Sequence, residues 1–107
     1  MFTRIVEFTL KRDKVDDFRR ILTRDIHPVL KQQAGFVDVV GLVSESDPYT
    51  VISITFWHTK NEAERYGAEQ YPRFIDMVRP FLQAAPIIRS FTVQDSTFYK
   101  IAAGKAA

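Results

Sequence analysis

The amino-acid sequence predicts an α+β fold, in which a four-stranded antiparallel sheet carries both of its helices on one face. Four segments have the alternating or β-branched pattern of strands, and two segments repeat apolar residues at the three- and four-residue spacing of amphipathic helices. These elements follow one another in the order β-α-β-β-α-β. Right-handed crossovers then place the strands in the order 4-1-3-2.

The composition is that of one folded domain. The chain has 107 residues, of which 46% are hydrophobic and 13% aromatic, so it has the length for a single core and ample apolar surface to bury. We expect one domain over residues 1–95 and a C-terminal tail over residues 96–107. The first part of the tail, with Phe98, Tyr99 and Ile101, is expected to dock, and its end is expected to fray.

Charge and cysteine content narrow the classes of partner. Fifteen basic and thirteen acidic residues are scattered along the chain and give a net charge of +2, which argues against nucleic acid as a partner. Cysteine is absent and the two histidines lack clustered carboxylates, so we expect no metal site. No apolar run approaches the ~20 residues that span a bilayer. We therefore expect a cytoplasmic protein without a membrane partner.

The first strand is predicted from Phe2 to Leu10, because polar and apolar residues alternate through it. One face carries Arg4, Val6, Phe8 and Leu10. On the other face, Glu7 has two interpretations. It either forms an ion pair, with Arg4 or Arg89, or it is a buried acid.

A first helix follows, in which apolar residues recur at helical spacing from Val15 to Leu30. Asp13 is its expected N-cap. Pro28 lacks a backbone N–H and disfavours the helical conformation at His27, so we expect a kink or a tightened last turn there. Gly35 is expected to take the left-handed conformation that ends the helix.

The second and third strands are predicted to form an antiparallel hairpin, from Phe36 to Val43 and from Thr50 to Trp57, joined by a turn-forming segment. The third strand has an apolar face and a mixed face. We expect the helices to cover the apolar face and the mixed face to stay open. The apolar face consists of Ile52, Ile54 and Phe56, and the mixed face of Val51, Ser53, Thr55 and Trp57.

The second helix is expected to begin at an N-cap, Thr59, with Glu62 in the reciprocal position of a capping box. Gly67, Pro72 and Pro80 interrupt the helix, so we expect two pieces over about residues 60–70 and 72–83. Residues 87–93 form the predicted fourth strand. Its facing stays open, because two apolar residues begin it.

A sheet with helices on one face leaves its other face uncovered. We expect that face to carry Ile5, Val51 and Trp57 among serine and threonine, which is too apolar for water. Pairing with a second copy across a twofold axis is the simplest cover, so we predict a homodimer.

Short motifs throughout the chain resemble one known family. They include Phe8-Thr9-Leu10-Lys11, Ala34-Gly35-Phe36, Ile54-Thr55-Phe56-Trp57 and Tyr71-Pro72. In these the chain resembles the antibiotic biosynthesis monooxygenase-like domains of the dimeric α+β barrel superfamily, which have a ferredoxin-like topology. The resemblance implies two protomers that pair their sheets into a barrel. It also implies a cavity beside the sheet and second helix for a quinol, an aromatic polyketide or haem. Some members oxygenate without metal or flavin, so we expect no cofactor.

The resemblance also implies the site residues. Trp57, Tyr66, Tyr71 and Phe74 are the predicted substrate-binding residues, and His58 and Tyr66 the predicted catalytic residues. Many quinol-oxidising members have a histidine nine residues after the aromatic residue that ends the third strand, where this chain has Tyr66. The residues typical of the haem-degrading branch are replaced by Val6, Tyr66 and Asp76, so haem degradation is disfavoured.

Each candidate residue also has a structural interpretation. Trp57 is either a packed sheet residue or a substrate platform. His58 is either a general base or a residue that only begins the helix, and His27 is either a packing residue at the kink or a ligand. Three functions stay open: a cofactor-independent oxygenase for a small quinol or phenol, a non-catalytic homodimer that binds a small apolar ligand, and an RNA-binding domain. RNA binding is disfavoured because the third strand lacks the arginine/lysine-glycine-aromatic pattern.

Overall fold

The computed structural model describes residues 1–99 and contains a single four-stranded sheet. Its strands are β1 (Phe2–Thr9), β2 (Phe36–Val43), β3 (Thr50–Trp57) and β4 (Ile87–Thr92). All neighbouring strands are antiparallel and their order is β2-β3-β1-β4. The predicted α+β ferredoxin-like fold and strand order are therefore confirmed.

The first helical segment changes its winding partway along. It consists of a 3-10 turn (Arg12–Lys14), α1 (Val15–Ile21), a π-helical turn (Leu22–Ile26) and α2 (His27–Leu30). No side chain caps α1, so the N-cap prediction for Asp13 is wrong. Pro28 cannot donate a backbone hydrogen bond and its ring crowds the carbonyl four residues earlier. The helix accommodates Pro28 with a widened, π-helical turn before His27, whereas the sequence predicts a kink or a tightened turn.

The second helical segment is divided as predicted, into α3 (Lys60–Glu69) and α4 (Tyr71–Val78), followed by a 3-10 turn (Arg79–Phe81). The Thr59 hydroxyl accepts a hydrogen bond from the Glu62 backbone N–H at 3.2 Å and donates to the Glu62 carboxylate at 2.9 Å. Gly35 has a φ of 79°, in the left-handed region, as expected. No helix within residues 1–99 is both long and apolar enough to cross a membrane.

The facing of the third strand is the reverse of the prediction. In the register of β1 and β3, Val6 lies opposite Ser53 and Phe8 opposite Val51. Because directly paired residues share a face, the mixed face of β3 lies with Val6 and Phe8 under the helices. The apolar face, with Ile54, is the open one. Alternation defines two faces, but only the register with β1 decides which of them the helices cover.

The core lies between the sheet and the helices. Trp57 and Val78 are fully buried, and Phe18, Leu30 and Phe74 pack in the same cluster. The sequence-based prediction, which put Trp57 on the open face, is therefore wrong. A tryptophan at the end of a strand can pack in a core or lie at a partner surface, and the sequence alone does not show which residues it contacts.

The open face of the sheet carries apolar side chains on all four strands, beside the charged residues Asp38, Glu7 and Arg89. Side chains on it include Ile5, Val40, Leu42, Ile54, Phe56, Ile87 and Phe91. Leu42 and Phe91 are about half exposed, at 46% and 49%. Glu7 forms the expected ion pair with Arg89, at 3.8 Å. The first part of the C-terminal tail docks on this face, where Tyr99 packs on Phe56 with ring centroids 6.0 Å apart. The predicted fraying concerns the end of the tail, which lies outside the described residues.

Candidate functional site

Two adjoining cavities lie between the sheet and the helices. The tyrosine chamber has a volume of about 40 Å³ and is lined by polar groups of Arg4, Tyr66 and Tyr71 among apolar side chains. The β2 chamber has a volume of about 190 Å³ and reaches the strand residues 41–43. Both chambers share four wall residues: Phe8, Leu22, His27 and Ser53. The two chambers therefore adjoin along these residues, and the pair is called the composite site below.

The chamber sizes differ in what they admit. A volume of about 40 Å³ has room for about three water molecules, whereas an apolar cavity of about 150 Å³ is known to hold benzene. The β2 chamber is thus large enough for one aromatic ring. The tyrosine chamber suits a polar substituent of such a ring.

The two tyrosines belong to an aromatic cluster. Tyr66 lies on α3 and stacks near Trp57, with ring centroids 5.1 Å apart, while Tyr71 and Phe74 approach it from α4 at 6.5 and 6.1 Å. Burial raises the pKa of Tyr66 far above its ordinary value, and burial raises the pKa of Tyr71 to about 12. Both phenols are therefore protonated at neutral pH and act as hydrogen-bond donors.

Arg4 brings the chamber its positive charge. It lies on β1 opposite Thr55, so its side chain points toward the helices. Its Nη1 lies 3.5 Å from the Ala63 carbonyl oxygen. Gly67 faces the guanidinium, and a Cβ atom there would lie 2.6 Å from Arg4 Nη1. The glycine within α3 thus leaves the room that the arginine occupies.

His27 is the histidine that reaches the chambers. It follows the π-helical turn, a distortion that is frequent at functional sites. The imidazole is half-buried, and its burial, followed by the nearby charge of Lys31, lowers its pKa below the ordinary value of 6.5. A neutral imidazole at physiological pH is able to accept a proton.

The predicted site residues separate into two groups. Tyr66, Tyr71 and Phe74 all line the tyrosine chamber. Trp57 lies behind Tyr66, has no exposed surface, and its Nε1–H donates to the Thr55 Oγ1 at 2.9 Å. His58 is exposed and is not among the wall residues of either chamber.

Two residues of the chamber walls were not among the predicted site residues: Arg4, which had been considered only as an ion-pair partner, and His27, for which a ligand role stayed open. The signal for Arg4 was its position on the apolar face of β1, where a charged residue is unusual. The signal for His27 was its position before Pro28, at the end of an apolar helical stripe. Residues 1–99 contain no group of three or more histidine, cysteine, aspartate or glutamate side chains placed to hold a metal ion.

Comparison with known proteins assigns the family. The sequence model of the family described as antibiotic biosynthesis monooxygenase matches residues 1–75. The chain belongs to the antibiotic biosynthesis monooxygenase family. No curated protein matches it significantly.

Solved structures share the fold at low identity. A candidate antibiotic biosynthesis monooxygenase from Nitrosomonas europaea has a TM-score of 0.76 and 21% identity, covering 89% of this chain and 100% of its own. A variant of SnoaB, a cofactor-independent oxygenase from Streptomyces nogalater, has a TM-score of 0.77 and 18% identity, covering 90% and 95%. The monooxygenase ActVA-Orf6 from Streptomyces coelicolor, in complex with Nanaomycin D, has a TM-score of 0.72 and 18% identity, covering 89% and 88%. The family assignment supports a monooxygenase-like function, and these neighbours share the fold.

Proposed function

We propose that this protein is a cofactor-independent monooxygenase that converts a small phenol or quinol to a quinone. The observation that supports the proposal is the composite site itself. An apolar chamber of ring size adjoins a smaller one that carries two protonated tyrosines, an arginine and a half-buried histidine. SnoaB, with the same fold, is named as a cofactor-independent oxygenase.

The chemistry needs a base and a sheltered ring. His27 removes the proton of a phenol, and the phenolate passes an electron to molecular oxygen. The resulting pair combines at a ring carbon that bears hydrogen, and the protonated His27 returns its proton to the peroxide to give a hydroperoxide. Loss of water then leaves the quinone. One oxygen atom enters the ring, the other leaves as water, and the ring supplies all four electrons. The apolar walls protect the radical pair from side reactions.

Oxygen uptake tests the proposal. Phenols and hydroquinones with one or two rings are incubated with the protein in an oxygen electrode, and the quinone is followed by its absorbance. We expect uptake that depends on the protein, a loss of about 10²-fold in His27→Ala, and a smaller loss in Tyr66→Phe. The proposal is contradicted if oxygen uptake does not depend on the protein, or if both variants consume oxygen at the rate of the unmutated protein.

His58 provides the comparison between the two histidines. If the base lies in the chambers, His58→Ala retains most of the uptake, because its side chain is exposed. If His58→Ala loses the uptake and His27→Ala retains it, the base is the one that the sequence predicted. Both variants remove one imidazole, so the comparison is matched.

The protein is a homodimer in this proposal. The open face of the sheet carries half-exposed Leu42, Ile87 and Phe91 beside half-buried Ile54 and Phe56. A largely apolar face of this kind calls for a partner surface, and a second copy meets it across a twofold axis. Sedimentation at micromolar concentration is expected to give twice the mass of one chain, and a folded species of one chain contradicts the dimer.

A second function is supported by the β2 chamber alone. Its apolar walls and ring-sized volume suit the binding of a small apolar ligand without any reaction. In that case aromatic ligands raise the melting temperature but consume no oxygen. The absence of a thermal shift with every ligand of a ring-sized panel contradicts this alternative.

A further inference from the structure

A cation in the tyrosine chamber has no anion beside it. Arg4 forms no ion pair within residues 1–99, and no acidic side chain lines the chamber. Its Nε is buried and has no hydrogen-bond partner within the described part of the chain. Its remaining contacts are weak, since Nη1 meets a carbonyl oxygen at 3.5 Å and the guanidinium lies 5.9 Å from the Phe2 ring centroid.

A second donor in the same chamber is also unpartnered. The hydroxyl of Tyr71 is buried and makes no hydrogen bond with residues 1–99. Arg4 and Tyr71 line the same chamber, and the positive charge of Arg4 opposes the effect of burial on the pKa of Tyr71. A buried donor without an acceptor is destabilising, and a charged one more so. Two such donors in one chamber, one from β1 and one from α4, point to a ligand subsite.

We propose that Arg4 and Tyr71 bind an oxyanion attached to an aromatic ring, a phenolate or a ring carboxylate, and so restrict the substrates to anionic aromatics. This inference rests on the proposed function only for its choice of an aromatic ring. The acceptor oxygens satisfy both donors at once, and the charge-assisted bonds they form are about twice as strong as neutral ones.

The chamber volumes fit this arrangement. The ring occupies the β2 chamber, of about 190 Å³. In the proposed complex its substituent extends past His27 and Ser53, which line both chambers, into the tyrosine chamber of about 40 Å³, where Arg4 lies. His27 then stands beside the path of the ring oxygen. The same geometry that selects the anion stabilises the phenolate that the base creates.

Equilibrium binding under nitrogen tests the subsite without any reaction. The probes are 4-nitrophenol, which absorbs visible light as the phenolate, benzoate as the carboxylate, and nitrobenzene as the neutral ring. We expect the protein to bind at least one anion more tightly than nitrobenzene, and to lower the pKa of bound 4-nitrophenol. Equal affinity for all three probes, with no change in that pKa, overturns the proposal.

Variants separate charge from structure. Arg4→Gln is expected to lose about tenfold to a hundredfold in anion affinity while it keeps its affinity for nitrobenzene. Arg4→Lys should recover part of that loss. The control is Arg65→Gln, which removes the same charge from an exposed position on α3 and should change nothing. An unchanged ratio of anion to neutral affinity in folded Arg4→Gln overturns the inference.

Gly67→Ala keeps the test decisive if Arg4→Gln does not fold. Alanine retains the arginine, but its Cβ atom displaces the guanidinium from its position beside α3. We expect anion affinity to fall severalfold with nitrobenzene affinity unchanged, and an unchanged anion affinity counts against the subsite. Because every measurement is made without oxygen, a protein that shows anion-selective binding but no oxygen uptake retains this inference and loses the proposed function.

Discussion

Replacing Trp57 with phenylalanine tests whether this residue supports the site or binds substrate. Trp57 is fully buried, donates to Thr55 at 2.9 Å and packs against Tyr66 and Phe36 at 5.1 and 5.7 Å. The change removes about three buried ring atoms, worth roughly 2 kcal/mol at about 0.8 kcal/mol each, and one hydrogen bond worth about 1 kcal/mol. We therefore expect the free energy of unfolding to fall by about 3 kcal/mol.

Urea unfolding followed by far-ultraviolet circular dichroism gives this number, because the only tryptophan, and with it the fluorescence signal, is lost. Thr55→Val is the matched variant. It removes the acceptor, keeps the shape and leaves the indole N–H buried without a partner, at a cost of about 2 kcal/mol. The double variant should cost about 2 kcal/mol less than the sum of the single variants, because it contains no indole N–H to be left without a partner. A loss below about 1 kcal/mol in Trp57→Phe, with weaker ligand binding at unchanged stability, would refute this reasoning and favour a substrate platform.

Three further predictions concern pH, the turn before β2 and the open face. The pKa of His27 is lowered by burial and by Lys31, so the unfolded chain binds the proton first as the pH falls. Stability should be complete above the ordinary pKa of 6.5 and decline as the pH falls from there toward the lowered pKa. His27→Gln should remove that part of the pH dependence of Tm, and an unchanged slope would contradict the assignment. Gly35→Ala should cost at least about 1–2 kcal/mol in urea unfolding, because φ is 79° and the new Cβ would overlap the carboxylate at the start of α3; a neutral effect would exclude the left-handed turn. Ile54→Arg places a charge on the open face and should abolish the dimer in sedimentation, whereas Ser53→Arg places it in the chambers and should lower Tm; association unaffected by Ile54→Arg would exclude this face as the interface.

The order and type of the main elements were determined by local sequence patterns. The capping pair Thr59 and Glu62, the interruption near Pro72 and the glycine at position 35 each act within a few residues, so their effects are readable from the chain. The π-helical turn before Pro28 was not readable. Proline forbids the regular helix, but several backbone solutions satisfy it, and packing against the sheet selects among them.

The sequence determined that β3 has an apolar face and a mixed face, and that an aromatic group follows it on α3 and α4. Tertiary structure decided which face the helices cover, because the register of β1 with β3 sets Val6 opposite Ser53. It also decided the site. Arg4 and His27 are 23 positions apart in the chain, and only the packing of the first helical segment across β1 brings both to the walls of one chamber. The spacing of two residues along the chain does not predict that they line one cavity, because their proximity depends on the tertiary fold and not on either segment alone.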